Sequence, residues 1–346
     1  MQAYVARDIA EPFGSSTGAS LQASRFTLNL GSRRLVAADD YRNTTNGYTG
    51  VRADLRLPRD VVATLIYTLP QQRRPDDVPS ILDNEVKIDR ESFDQRLWGG
   101  LIAGRRAIGE ATVEATYFAF AERDDPGRPT RNRHLHTYGG RLIRDPTVGK
   151  WDFEFEAFRQ DGRLRSGLAA TATQLDVSAW FAHAEVGYSF AHPWKPRLAV
   201  EYDYASGDGR GTKFTRFDTL FGMRRADLAP AGIYAALGRT NLSAPGLRFE
   251  ATPSKRLDGF ATYKALWAAS RFDSFSTTGV RDASGASGRF AGHQVDARLR
   301  WWLLPDRLRG EANAAWLAKA GILNDAPNAP AGGDTHYLSL ALTASF

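Results

Sequence analysis

From Gly292 to Phe346 the chain alternates between apolar and polar side chains with a period of two. Successive side chains of a β-strand point to opposite faces, so this period predicts strands. Runs of about ten to twelve residues are long for a soluble strand and are typical of a tilted strand that crosses a membrane. Closure of such strands into a barrel would leave no unpaired edge. The clearest run places Val295, Ala297, Leu299 and Trp301 on one face and Gln294, Asp296, Arg298 and Arg300 on the other.

The composition agrees with a membrane barrel. The 346 residues are 42% hydrophobic, and the mean hydropathy is −0.39. No uninterrupted apolar run reaches the roughly 18 residues that a membrane-spanning helix needs, which excludes a helical membrane protein. Every second residue of a barrel strand faces water, and this explains the low mean hydropathy. The sequence therefore predicts an all-β fold.

Connections of two lengths separate the alternating segments. Short turns, such as residues 58–60 and 253–256, alternate with long polar loops, such as residues 70–92 and 271–288. Outer-membrane barrels have short connections on one side and long ones on the other, whereas a β-sandwich has shorter strands. We predict one domain over residues 1–346, a transmembrane antiparallel up-and-down β-barrel of roughly fifteen strands.

Charged side chains recur singly on the polar side of the alternation. The chain has 45 Lys and Arg, 39 Asp and Glu, a net charge of +6 and no Cys. The absence of clustered basic residues argues against nucleic acid as a partner, and the absence of Cys excludes disulfides and thiolate metal sites. A water-filled channel removes most of the cost of burying these charges. We predict pore-lining roles for Arg52, Asp54, Arg141, Glu154, Glu156, Asp203, Arg248, Asp296, Arg298 and Arg300.

Two interpretations of these charges are open. The planar guanidinium group of arginine, with its fork of N–H donors, binds carboxylates in a bidentate manner. A pore lined with arginine would therefore attract carboxylate or phosphate anions. Alternatively, the arginines and carboxylates pair across neighbouring strands and only hold the wall rigid.

Catalytic motifs are missing from the sequence. It contains no HExxH, no nucleophile elbow, no P-loop and no dinucleotide-binding fingerprint. The carboxylates of residues 152–156 could imitate a glycosidase pair, but a place beside arginines in a channel explains them better. We predict a protein that is not an enzyme, with no catalytic residues, no metal site and no cofactor.

Several motifs recur in order along the chain: RNT (residues 42–44) before YTGVR (48–52), EYDYASGD (201–208), RFDTLF (216–221), GRTNL (238–242), VDARLRWWLLPDRL (295–308) and NDAPN (324–328). Together they resemble the alginate-export family of bacterial outer-membrane β-barrel porins. The resemblance covers residues 2–346.

The resemblance implies an eighteen-stranded monomeric barrel in the bacterial outer membrane, whose arginine-rich lumen passes an anionic polyuronate outward. Against that pattern the chain begins about three strands short, and no signal peptide stands at its start. Two explanations are open: the signal peptide has been removed, or the chain lacks its true N-terminus. Ser32 replaces an arginine that is frequent in the family. The positions that match basic lumen residues are Arg34, Arg42, Arg52, Arg239, Arg298 and Arg300.

The function predicted from these features is an anion-selective outer-membrane porin for an anionic polysaccharide such as alginate, or for small organic anions. The alternative is a non-conducting carbohydrate-binding or structural surface barrel. The expected partners are the anionic substrate, outer-membrane lipid and periplasmic export or assembly proteins, and the expected state is a monomer.

Overall fold

The computed structural model describes residues 2–39, 45–125, 127–225, 227–230 and 233–345. Fifteen strands and two short helices, α1 (Val78–Leu82) and α2 (Ile322–Asp325), account for its regular structure. The strands are β1 (Ala3–Ala10), β2 (Gly18–Phe26), β3 (Tyr48–Leu57), β4 (Val61–Pro70), β5 (Gln95–Ile108), β6 (Ala111–Glu122), β7 (His134–Arg144), β8 (Trp151–Arg165), β9 (Gln174–Ser189), β10 (Arg197–Ala205), β11 (Leu242–Ser254), β12 (Leu257–Trp267), β13 (Phe290–Leu304), β14 (Leu308–Lys319) and β15 (Thr335–Ala344).

The strands form a sheet in chain order, in which each strand is hydrogen-bonded to the next, from β1 to β15. Neighbouring strands such as β1 and β2, β13 and β14, and β14 and β15 pair antiparallel, as an up-and-down topology requires, and the number of strands agrees with the prediction. Short and long connections alternate along the whole order, from the turn between β3 and β4 to the loop between β12 and β13.

One predicted strand is misplaced. Taken from the sequence, the alternation of Phe26, Leu28 and Leu30 predicts a strand over residues 24–31, but β2 begins at Gly18 and ends at Phe26. Leu28 and Leu30 are buried in the connection that follows β2. Their alternation therefore arises from the packing of a loop and not from the pleat of a strand. Periodicity over three residues cannot separate these two cases.

Burial on the strands is inverted relative to a soluble protein. On β13, Val295, Leu299 and Trp301 are 41%, 51% and 56% exposed, whereas Gln294 and Asp296 are almost fully buried. An apolar exposed face is favourable only where lipid covers it, because water would have to solvate all of that surface. Across the described residues, no helix is both long and apolar enough to traverse a bilayer.

We expect the purified protein to give a far-ultraviolet circular dichroism spectrum dominated by β-structure and to stay monodisperse only in detergent. The reason is the exposed apolar strand face. A helical spectrum, or a stable monodisperse sample without detergent, would contradict this expectation.

The chain divides into two compact units. Unit 1 comprises Met1–Gly140, Arg159–Ser178 and Thr219–Met223, and unit 2 comprises Arg141–Phe158, Ala179–Asp218 and Arg224–Phe346. One domain over residues 1–346 stays a prediction.

Each unit has aromatic or aliphatic packing of its own. In unit 1 the Phe221 ring meets the rings of Tyr48 and Phe120 edge to face, at centroid distances of 5.8 and 5.5 Å. In unit 2 an apolar cluster joins loop residues Leu228, Leu237 and Phe275 to side chains from β11, β12 and β14. The long loop between β10 and β11 is therefore packed against strands instead of standing free.

Candidate functional site

The buried polar side of strands β10 to β14 in unit 2 is here named the charged face. Of the side chains that the sequence assigned to a pore, it carries Asp203, Arg248, Asp296, Arg298 and Arg300. Register fixes their neighbours: Arg298 lies opposite Phe260 and Asn313, and Arg300 lies opposite Asp258 and Glu311. Because every second residue of these strands points to the same side, these groups form one continuous surface.

A buried cluster of opposite charges lies at one part of the charged face. Lys264 Nζ is 2.7 Å from Glu201 Oε1 and 2.9 Å from Asp203 Oδ2, and its side chain is inaccessible. His183 Nδ1 lies 2.8 Å from Asp203 Oδ1. Taking these charges out of water is costly, and the ion pairs offset that cost. Asp203, predicted to line a pore, thus serves first to hold Lys264.

Other predicted site residues are also paired along the strands of unit 2. Arg141 Nε donates to Glu154 Oε1 at 2.9 Å, and Asp296 accepts a hydrogen bond from Gln294 Nε2 at 3.0 Å. Glu156 is buried. These contacts agree with the interpretation that many charges stabilise the wall.

Arg298 differs from these paired residues. Its guanidinium carbon lies 4.8 Å from the centre of the Phe260 ring, and Arg248 lies 3.9 Å from the same centre. Arg248 forms an ion pair with Glu250, whereas no carboxylate lies within ion-pairing distance of Arg298 among the residues described. The Nε of Arg298 is buried without a hydrogen-bond partner. A cation held against an aromatic ring with an open fork can receive an external carboxylate.

Three further arginines accompany Arg298, and these four are named the arginine patch. Arg300 Nη2 lies 2.7 Å from Asp258 Oδ1, and Arg309 Nη2 lies 3.8 Å from Glu311 Oε2. Arg225, from the long loop between β10 and β11, also pairs with Glu311. Its four cations are Arg225, Arg298, Arg300 and Arg309, and its two carboxylates are Asp258 and Glu311.

The electrostatics of Arg225 show how closely these cations are placed. Burial lowers the pKa of Arg225 to about 10, Glu311 opposes the change, and Arg298, Arg300 and Arg309 add to it. A guanidinium is made less stable only by nearby positive charge or loss of water. Burial is the first cause of this change and the neighbouring cations add to it; the patch carries more positive charge than its two carboxylates, Asp258 and Glu311, can cancel.

The predicted residues of unit 1 are partly explained by local contacts. Arg52 Nε lies 2.7 Å from Asp54 Oδ2, and Asp54 Oδ1 also accepts from Thr64 Oγ1 at 2.6 Å. Arg34 is buried in the connection between β2 and β3, where its carbonyl accepts from Thr219 Oγ1 at 2.9 Å. Arg42 lies outside the described residues. Pore-lining roles for all of them stay predictions.

Arg239 and Arg225 show where strand periodicity stops being informative. Arg239 lies in the long loop of unit 2, is buried, and pairs with Asp227. Arg225 was missed in the sequence because the loop has no period that would place one residue beside Glu311. Asp258 was also missed, since it follows a tight turn and its pairing with Arg300 depends on register.

In the described part of the chain, no group of three or more His, Asp or Glu side chains is arranged to hold a metal ion.

The family of the chain follows from its sequence as a whole. A family model described as alginate export matches residues 1–325. The chain belongs to the alginate export family. No curated protein matches it.

Solved porin structures share the fold of this alginate export protein. Pseudomonas aeruginosa OccK2 (OpdF) in complex with glucuronate is 11% identical, with a TM-score of 0.57 over 95% of this chain and 81% of that one. P. aeruginosa OccK10 (OpdN) is 12% identical, with a TM-score of 0.57 over 100% and 84%. A BenF-like porin from Pseudomonas fluorescens Pf-5 is 10% identical, with a TM-score of 0.56 over 96% and 76%.

These similarities confirm the predicted fold class, an all-β outer-membrane barrel of up-and-down strands, and the predicted location in the outer membrane. The family match also agrees with the general function that the sequence predicted, an outer-membrane channel of the alginate export family.

Proposed function

We propose that this alginate export protein is a non-enzymatic, anion-selective channel that passes saccharides bearing carboxylates, and that the arginine patch is its selectivity site. The single observation that carries the proposal is Arg298, a cation stacked on Phe260 with no carboxylate partner among the described residues. A structural arginine would be expected to have its charge satisfied within the wall, as Arg300 has.

The composition of the patch suits passage better than retention. Arg298 offers an open fork, while Asp258 and Glu311 temper the charge of Arg300, Arg309 and Arg225. Conduction requires binding that is favourable enough to admit an ion and weak enough to release it. A patch of mixed charge with net positive sign meets both conditions.

The substrate class is supported by the family and by one structural neighbour. The family is that of alginate export, and OccK2 was crystallised with glucuronate, a sugar acid. Both point to a carboxylate on a sugar ring, which the planar guanidinium fork matches. The proposed partners are this substrate, outer-membrane lipid and periplasmic export or assembly proteins, and the proposed state is a monomer.

Planar bilayer recordings test the proposal. Under a potassium chloride gradient, the reversal potential should show preference for chloride, and glucuronate should reduce the current at concentrations at which glucose has no effect. A reversal potential that shows cation preference, or equal effects of glucuronate and glucose, would overturn anion selectivity.

A second candidate function is a barrel that binds carbohydrate without conducting. The observation that favours it is the packing of the long loop on the charged face, where Tyr234 Oη donates to Gln294 Oε1 at 2.9 Å. Leu228 and Leu237 of the same loop are fully buried. Reconstituted protein that is folded yet shows no conductance would support this candidate over a channel.

A further inference from the structure

A second cationic site lies outside the strands, on two long loops of unit 2. Arg210, from the loop between β10 and β11, has its guanidinium carbon 4.3 Å from the centre of the Phe272 ring. Arg271, from the loop between β12 and β13, lies 5.0 Å from the same centre. Both arginines are exposed and Phe272 is half-buried. The Phe272 ring thus contacts two guanidinium groups at the surface.

A third arginine is fixed to the same segment by its hydrogen bonds. Arg281 Nε donates to the carbonyl of Phe272 at 2.8 Å, and its backbone N–H donates to Asn328 Oδ1 at 2.7 Å. Arg210 Nη2 donates to the carbonyls of Ala283 and Ser284 at 3.1 and 3.2 Å. These contacts restrict side chains that are usually mobile, so less conformational entropy is lost when they bind a ligand.

The carboxylates of these loops are directed elsewhere. Asp273 Oδ2 accepts from Arg216 Nη1 at 2.7 Å and from the backbone N–H of Asp208 at 2.8 Å. Asp273 and Asp282 are both buried, while Arg210, Arg271 and Arg281 are exposed. In the part of the chain that the structure describes, no ion pair engages these three arginines.

Asp282 is held by its own turn. It accepts hydrogen bonds from the hydroxyl and backbone N–H groups of Ser284 and Ser287, at 2.6 to 2.8 Å. The Ser284 hydroxyl, followed by the two Ser287 donors, keeps the pKa of Asp282 well below its ordinary range. A carboxylate with a depressed pKa stabilises its turn above the ordinary value of about 3.9 and loses that contribution only as pH falls below it. The loops therefore keep this arrangement at neutral and mildly acidic pH.

We propose that Arg210, Arg271, Phe272 and Arg281, named the loop arginine site, bind successive carboxylates of a polyuronate chain outside the channel. The guanidinium forks would receive the carboxylates, and the accessible part of the Phe272 ring would contact the apolar face of a sugar. The site lies among the long connections, which in outer-membrane barrels are on the extracellular side. The ligand class rests on the proposed function, whereas the site shares no residue with the arginine patch.

The test compares binding of a defined alginate oligosaccharide to detergent-solubilised full-length protein. The variant replaces Arg210, Arg271 and Arg281 with Gln. The control replaces Lys255, Arg256 and Arg307 with Gln, which removes the same charge from the short-turn ends of β11 to β14. We expect roughly tenfold weaker binding for the loop variant and no change for the control, because each lost fork removes a charge-assisted hydrogen-bonded contact.

A conservative variant separates fork geometry from charge. Arginine replaced by lysine at the same three positions keeps the charge but loses the planar fork, so its binding should be intermediate. Wild-type affinity in the glutamine variant would overturn the proposal. The glutamine variant could also lose binding because it no longer folds, which its unfolded mobility on gels would reveal. If the lysine variant is then folded and binds like the wild type, the proposal that the arginine forks bind the carboxylates is overturned.

Two further readouts keep the proposal distinct from the channel function. The anion preference of single channels should be the same in the loop variant as in the wild type. If the wild type itself shows no anion preference, the proposed channel function is refuted, and the loop arginine site is still tested by the binding measurements. Wild-type protein that binds polyphosphate but not alginate would overturn the assignment of a polyuronate. Binding should vary less than about twofold between about pH 5.5 and 8, because arginine remains charged throughout.

Discussion

Replacing Arg298 and Arg300 together with alanine is expected to reduce the chloride preference of the channel by about tenfold or more, with the fold intact. Two unit charges about 4 Å apart interact with about 4 kcal/mol at an effective dielectric constant of 20. A third of that energy already corresponds to about tenfold in an equilibrium. Arg298 supplies most of the effect, because the charge of Arg300 is partly cancelled by Asp258. Reversal potentials under a salt gradient measure the change.

A charge-neutral control is available beside these residues. Replacing Arg300 and Asp258 together with alanine removes an ion pair and leaves the net charge of the patch unchanged. We expect its selectivity to remain near that of the wild type. Replacing Arg298 with lysine keeps the cation and should retain much of the preference for anions. Lower stability with unchanged selectivity in the double alanine variant would show that both arginines act as wall contacts.

Replacing Lys264 with methionine is expected to destabilise the barrel by about 3–5 kcal/mol, the usual cost of leaving buried charge without its partner. The ammonium group is fully buried and lies within 2.9 Å of carboxylate oxygens of Glu201 and Asp203. Without it, the carboxylates of Glu201 and Asp203 would lie two residues apart on the same face of β10 with no cation between them. Urea unfolding in detergent, followed by the shift between folded and unfolded mobility on gels, measures the loss.

Neutralising the whole cluster provides the matched control. A triple variant with Lys264→Met, Glu201→Gln and Asp203→Asn removes all three charges at nearly constant volume. We expect it to be much more stable than the single variant, although hydrogen bonds to His183 change. An equal decrease of the free energy of unfolding in both variants would show that packing around Lys264, and not its charge, stabilises this part of the charged face.

The sequence by itself determined the strands and their two faces. On β13 the period of two separates Val295 and Leu299 from Asp296 and Arg298, and the pattern of burial follows that separation. This was predictable because the pleat of a strand is a local property and lipid requires the apolar face outside. The family resemblance was also contained in local motifs, and the family match over residues 1–325 agrees with it.

Tertiary structure alone decided which charges are satisfied. Arg298 and Arg300 are two residues apart and identical in type. Among the residues that the structure describes, however, a carboxylate partner is found only for Arg300: Asp258, which is 42 positions away in the chain. Arg225 reaches Glu311 across 86 positions, from a loop without periodicity. Strand register and loop packing set these distances, and both depend on contacts between residues far apart in sequence. An alternating pattern reveals the side of the sheet to which a charge points, but it does not contain the position of the opposite charge.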